Sequence, residues 1–395
     1  MSLSDVPPMS FPLPLRVDGT PDLNLLEATR DNPVLRVSGP TGEAWLVAGE
    51  QTAREVLSEP DRFSSVPDRS LTDSRGASAV PMIAMDPPGH TRLRRLASKV
   101  FTARRVQSMV PEIERLVSAL LDDMESAGPP ADLVSKLAVP LPMSVIFTVL
   151  GEMPKENPEE LRRWSVAFTS LNGDAGGQAA DAVADFHAWI SDIVRDRRRN
   201  LGDDLLSDLV RARDGQDAMT VDELIATVGL MIVAGHETSA KAITRGVMVL
   251  VASGQWARVV AGELPADRVA EEVLRHQPPI DTAIWRTATV DTELAGQRIK
   301  AGEQVLVSLN LANYDPAVRH NPEVFDPERA DPGHLTFGFG PHFCLGATLA
   351  RAELIAVFRG MATRFPRMSL AVPPGSLRWT AGSILNAPIN LPVRW

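Results

Sequence analysis

The stretch Phe337-Gly338-Phe339-Gly340-Pro341-His342-Phe343-Cys344-Leu345-Gly346 holds the only cysteine of a 395-residue chain. A thiolate is a nucleophile and a soft metal ligand. Three glycines surround it. Glycine offers no packing and costs backbone entropy, so the cluster marks a sharp bend or a close approach. Without a second cysteine, a structural four-thiolate zinc site or a cysteine-only iron–sulfur cluster cannot be built. A lone cysteine is most often a small buried hydrophobe. The glycines and a helical pattern that begins at Leu345 favour a thiolate held by free N–H groups at a helix start. One rigidly held thiolate suits the axial position of a haem.

Three further groups have residue types that can do chemistry. Ala234-Gly235-His236-Glu237-Thr238 follows the apolar run Leu230-Met231-Ile232-Val233 in a helix predicted over 220–252, opened by the capping box Thr220-Val221-Asp222-Glu223. Gly235 costs that helix about 1 kcal/mol relative to alanine, and it predicts a kink or widened turn beside an acid and a hydroxyl. Glu272 and Arg275 stand at i, i+3 and can pair; taken alone they read as an ordinary weak surface pair. In Asp86-Pro87-Pro88-Gly89-His90-Thr91-Arg92-Leu93-Arg94, His90 and Arg94 share one helix face. Arg286 and His342 are two more cation-capable groups, each of which would be a solvated surface residue if considered singly.

Set together, these motifs resemble the cytochrome P-450 family, in its soluble bacterial, actinobacterial branch. The haem-loop pattern Phe-Gly-x-Gly-x-x-x-Cys-x-Gly is matched at Phe337, Gly338, Gly340, Cys344 and Gly346. The other motifs follow in family order, so the resemblance covers essentially the whole chain. It implies one α+β, mostly α domain over residues 1–395. Haem b would lie between the distal helix (220–252) and the Cys-loop helix (345–363), with Cys344 as the metal ligand. Phe337, Gly338 and Ala234 would contact the haem, and His90, Arg94, Arg286 and His342 its propionates. Thr238 and Glu237 would be the catalytic proton carriers. Glu272, Arg275 and Arg329 would form a buried network beneath the loop. Tyr314 departs from the family, which often has arginine there.

The implied activity is insertion of one oxygen atom from O2, by hydroxylation or epoxidation, into a mostly apolar small molecule of secondary metabolism. Electrons would come from NAD(P)H through ferredoxin reductase and ferredoxin to a monomer. Arg92, Arg94, Arg95, Lys99, Arg104 and Arg105, free of acids between them, form the expected docking patch. Other readings are a peroxide-driven peroxygenase, a haem-free accessory protein and a haem gas sensor. The pair Glu237–Thr238 argues against the first, and the retained Cys344 and propionate positions against the second. Turnover with a reductase would separate the third.

Composition agrees. The chain is 44% hydrophobic and 23% charged with net charge −10, an ordinary globular balance that excludes a general nucleic-acid or membrane-surface binder. No secretory leader opens it, no apolar run approaches the roughly 20 residues of a membrane span, and one cysteine permits no internal disulfide, so a cytoplasmic location is expected. Periodicity predicts a hairpin at 34–48 and helices at 51–58, 90–100, 103–126, 131–151, 158–171, 179–200, 203–213, 220–252, 266–276 and 345–363. Strands are expected at 287–294 and 304–309, and an irregular start over 1–30. Pocket walls are expected from 64–85, 168–182, 230–238, the strand after Pro279 and the tail near 383–385. Their apolar members are Met82, Ile83, Met85, Leu230, Val233, Ile280, Ile284, Ile384 and Leu385.

Overall fold

Long amphipathic segments separated by capping residues make the centre of the chain helical, and short β-branched runs at its two ends make sheet. The computed structural model describes the chain except residues 1–8, 11–12, 40–41, 67–79, 152–159, 161–162, 165–166, 169–177, 215–216, 281–283 and 381–382. The principal helices are α1 (Leu23–Arg30), α2 (Glu50–Ser58), α3 (Gly89–Val100), α4 (Ala103–Ala127), α5 (Pro140–Leu150), α6 (Gln178–Arg199), α7 (Leu205–Arg211), α8 (Val221–Ala252), α9 (Ala266–His276) and α10 (Ala347–Arg364). One sheet gathers β1 (Met9–Ser10), β2 (Val34–Gly39), β3 (Gly42–Val47), β4 (Phe63–Ser64), β5 (Ile284–Ala288) and β6 (Gln304–Val307) in the order β1-β2-β3-β6-β5-β4. The antiparallel hairpin β2–β3 receives β6 in parallel register, Leu46 opposite Leu306.

The expected capping box is present at the start of α8: the Thr220 hydroxyl accepts from the Glu223 N–H, and the Glu223 carboxylate accepts from the Thr220 N–H. Two of the four orphan donors of this helix end are thereby satisfied. The 32-residue α8 then runs through the core, and most of its side chains are buried. It continues as α-helix past Gly235, so the alternative of a widened turn there is absent. A side chain there would meet Ile146 of α5 at an ordinary 3.6 Å.

Other boundaries differ for local reasons. The expected helix over 131–151 divides into a two-residue strand, a π-helical turn (Val134–Ala138) and α5. Ala131–Asp132 pairs with the tail strand Pro392–Arg394, and that pairing takes the residues from the helix. The irregular start contains α1, capped by the Asp22 carboxylate. The run 287–294 breaks at residues 289–291 because β5 turns into a separate hairpin, Thr292–Leu294 with Gln297–Ile299. The Cys-loop helix begins at Ala347, two residues after the expected start. Most of the expected helix 158–171 lies outside the described residues.

Glu272 and Arg275 of α9 are not a surface pair. Both are buried. The Glu272 carboxylate accepts two bonds from Arg275 (2.7 and 2.8 Å), one from Arg329 Nε (2.8 Å) and one from the Asp326 N–H (2.8 Å). Arg275 also donates to the carbonyls of Asn313, Pro322 and Val324. Tyr314, where the family often has a cation, is buried against this network: its hydroxyl donates to the His276 carbonyl at 2.8 Å and its ring lies 5.4 Å from the Arg275 guanidinium. Removing one partner of such a network strands the others. Glu272→Ala should cost about 3–5 kcal/mol of stability, and Tyr314→Phe, which leaves one carbonyl unpaired, about 1–3 kcal/mol. Chemical denaturation midpoints check the order; equal small losses would contradict it.

Candidate functional site

The Cys344 loop is built from its backbone outward. Gly338 and Gly340 have φ of +72° and +70°, the left-handed region that favours glycine. A side chain on Gly340 would also lie 2.5 Å from the Leu57 carbonyl of α2, so this glycine is required twice over. Arg54 of α2 covers the Phe339 ring at 4.7 Å. The Cys344 N–H donates to the Phe337 carbonyl at 2.8 Å. The loop entrance is tied to α9: the Thr336 hydroxyl donates to the Leu274 carbonyl (2.6 Å), Asn313 donates to that hydroxyl (2.9 Å), and the Leu335 N–H donates to Asn313 Oδ1 (2.7 Å). Sequence reasoning missed Asn313 and Thr336; single residues of common type carry no spacing signal.

Cys344 has exposed surface, yet burial pushes its thiol above the usual range, opposed by the Gly346 N–H and by Arg94 and Arg351. Both hold for a sulfur that faces an opening walled by protein. Arg351 is oriented by a two-bond pair with Glu271 (2.6 and 2.9 Å) and lies 4.5 Å over the Phe337 ring. The neighbouring arginine and the buried His334 lower Glu271 to about 2 against the opposing effect of its burial. Among the described residues no group of three His, Cys, Asp or Glu could hold a bare metal ion.

The four expected propionate partners come together. The rings of His90 and His342 lie with centroids 4.0 Å apart, tilted by 33°. Burial, His90 and Arg286 hold His342 down to about 4. Burial, then Arg94 and Arg286, lowers His90. Burial pushes Arg286 down to about 10 and lowers Arg94, whose Nη2 donates to the Phe343 carbonyl at 2.6 Å. Asp86 is the acid acting on this set, and it is occupied with the Ser64 hydroxyl and the Ser65 N–H. Ser65, unforeseen from sequence, bonds His342 Nε2 at 3.0 Å. His90 Nδ1 is buried without a partner. Two arginines and two histidines, one with an orphaned ring nitrogen, with so little opposing charge, fit a dianionic group such as a haem with its two propionates.

On α8, Ala234 is exposed although the helix is otherwise mostly buried. The Thr238 hydroxyl donates to the Ala234 carbonyl at 2.6 Å. Glu237 lies 3.5 Å from Lys241 and 3.7 Å from His236. The acid of the acid–alcohol pair is thus held by a lysine one turn on. Next to Thr238, Ser239 bonds Glu353 of α10, a fully buried acid that burial pushes up to about 8. Nothing in the sequence set Glu353 apart from other helical acids.

The whole chain can now be set beside known proteins. The family description Cytochrome P450 matches residues 23–253 and 266–376. Nocardicin C N-oxygenase of Nocardia uniformis subsp. tsuyamanensis is 38% identical over 403 residues, covering 100% of both chains.

The chain belongs to the cytochrome P450 family.

Cytochrome P450 monooxygenase PikC of Streptomyces venezuelae is 38% identical over 92% of this chain and 88% of its own. The crystal structure of the LnmA cytochrome P450 hydroxylase from the leinamycin pathway of Streptomyces atroolivaceus superposes with a TM-score of 0.88 at 38% identity, over 98% of this chain and 100% of that one. The protein is therefore a P450 monooxygenase, and the family implies haem, an external electron donor and a small-molecule substrate. No described helix is long and apolar enough to cross a membrane.

The buried acid has a pH consequence. Glu353 binds its proton up to about pH 8 in the folded chain but only to about 4.3 when unfolded. Between these values the folded state holds the extra proton, so this group's contribution to stability falls as pH rises, by up to roughly 1.4 kcal/mol per pH unit. Glu353→Gln removes that slope. Its stability relative to the parent should rise between pH 5 and 8 in parallel denaturant titrations; a flat difference would refute the buried neutral acid.

Proposed function

We propose that this P450 binds haem b through Cys344 and hydroxylates or epoxidises a mostly apolar product of secondary metabolism, the whole chain acting as one catalytic domain. One observation carries the reading. The only thiol has exposed surface and interacts with Arg94, and Arg94 gathers with the half-buried His342 and the buried His90 and Arg286, with Asp86 as the acid among the groups acting on them. Relatives named as tailoring enzymes support the substrate class. The apolar side chains Met82, Leu230, Val233, Ile280, Ile284, Ile384 and Leu385 support its polarity. Of the expected pocket walls 64–85 and 168–182, residues 67–79 and 169–177 lie outside the described residues.

Bound haem supplies the redox chemistry that activates O2. Cys344 holds the iron, with the Gly346 N–H, Arg94 and Arg351 supporting the thiolate charge. Arg94, Arg286, His90 and His342 would hold the propionates, and Phe337, Gly338 and Ala234 would contact the haem. The Thr238 hydroxyl turns from the Ala234 carbonyl toward the opening and passes a proton on. Glu237, 13% exposed, takes the replacement proton from solvent.

A small acidic ferredoxin, reduced from NAD(P)H by its reductase, is the proposed electron donor to a monomeric enzyme. The docking patch foreseen from sequence is smaller than expected. Arg92 pairs with Glu223, and Arg105 with Asp208, so Arg92 holds α3 to the start of α8 and Arg105 holds the start of α4 to α7. Arg95, Lys99 and Arg104 are exposed, and Arg94 of the same α3 bonds the carbonyl of Phe343, which is 42% exposed beside Cys344.

Cys344→Ser should abolish the strongly red-shifted Soret band of the reduced CO complex together with turnover; an unchanged band in the variant would defeat the assignment. Thr238→Ala should keep haem and substrate binding while diverting reducing equivalents from product to peroxide. Tight coupling in that variant would place the proton relay elsewhere. Charge reversal at Arg95, Lys99 or Arg104 should slow reduction, and added salt should slow it too; a rate indifferent to both would move the docking site.

A further inference from the structure

Arg245 of α8 is fully buried, and none of the chemistry above uses it. Its Nε donates to Gln277 Oε1 (2.9 Å), one terminal nitrogen to the Asn386 carbonyl (3.0 Å) and the other to the Gly19 carbonyl (2.7 Å). Its guanidinium lies 5.6 Å from the Trp379 ring. Gln277 completes a ring of bonds by donating to the Asp18 carbonyl at 3.1 Å. Gly19, at φ +78°, is packed so closely on Trp379 that a side chain would collide with it. One planar cation therefore joins the turn at 16–20, the end of α9 and the chain's tail.

Two of those attachments flank one piece of wall. Gln277 precedes Ile280 by three residues, and Asn386 follows Leu385. Ile280 and Leu385 pair with each other in an antiparallel bridge. The tail turn is held from within: the Thr380 hydroxyl donates to the Leu385 carbonyl and accepts from the Ala387 N–H. Arg245 follows Thr238 by seven residues. At 100° and 1.5 Å per residue it stands on the same helix face as Thr238, about 10 Å farther along the axis. The wall that Arg245 anchors is thus on the side of α8 where Ala234 and Thr238 open.

We propose that Arg245 is a specificity-determining positioning residue. By clamping Gln277 and Asn386 it fixes the Ile280–Leu385 wall at a set distance from the Thr238 turn, and so decides how long a molecule fits between them. This rests on the proposed haem site. Lysine cannot substitute, since a single ammonium lacks the planar fork that reaches three separated acceptors.

Three azoles that ligate ferric haem through nitrogen give the test: imidazole, 4-phenylimidazole and a biphenyl-imidazole long enough to reach the wall. They are titrated spectroscopically into the haem-loaded parent, Arg245→Lys, Trp379→Phe and Ile280→Ala. Imidazole should bind all four proteins alike. The biphenyl compound should bind Arg245→Lys about tenfold more weakly, a loss of the size expected for one disordered set of wall contacts, and Trp379→Phe more weakly than the parent. If Arg245→Lys fails to accumulate, Trp379→Phe carries the same test. Parallel changes for imidazole and the biphenyl compound, or none for either, would make Arg245 a staple of the fold alone and overturn the proposal. So would indifference of the biphenyl compound to Ile280→Ala. A parent protein without the thiolate CO band would instead defeat the haem reading beneath it.

Discussion

The carboxylate of Glu272 is the point on which the site depends. It accepts four charge-assisted or backbone bonds inside the protein. Arg275, held by it, gathers the carbonyls of residues 313, 322 and 324, and Asn313 in turn holds Leu335 and Thr336 at the entrance to the Cys344 loop. A loop with several glycines cannot hold its own shape, because glycine gives up more freedom on folding than any other residue. Its rigidity is imported along this chain of bonds. A buried ion pair seldom adds net stability over an apolar substitute, but here it makes the conformation of a distant thiol specific.

A second constraint is charge left unbalanced. His90, Arg94, Arg286 and His342 are drawn together although the two arginines lower the proton affinity of both histidines. Such a cluster would be unfavourable in a protein without an anionic guest. The same logic applies in reverse to Glu353, where burial without a cation keeps a carboxylic acid protonated next to the hydroxyl of Ser239. The basic cluster comes from α3, β5 and the Cys344 loop, and the neutral acid from α10.

The arginines divide into structural and surface roles in a way their sequence run conceals. Within the basic stretch 92–105, Arg92 reaches the carboxylate that also caps α8, Arg94 reaches the Phe343 carbonyl, and Arg105 reaches α7. Residues three or four apart on a helix share a face, but the acids they meet come from 217–223 and 208, far along the chain. Tyr314, where the family often has a cation, meets the His276 carbonyl with a neutral hydroxyl.

What the sequence by itself determined were features written in local spacing. The glycines around Cys344, the capping box at Thr220, the apolar period of α8 and the i, i+3 pair at Glu272 are short-range patterns with short-range causes. They were enough to recognise the family and to find the helices that bear the site. Tertiary structure alone decided the rest. It showed that Glu272 and Arg275 are buried, that α8 stays α-helical through Gly235, and that residues 131–132 leave the helix to pair with the tail. It also showed that Glu353, Ser65, Asn313 and Arg245 matter, though each is of a common type in an unremarkable context. Their significance lies in which partner they meet and how much water is excluded there. Both depend on residues distant in sequence, which no local pattern encodes.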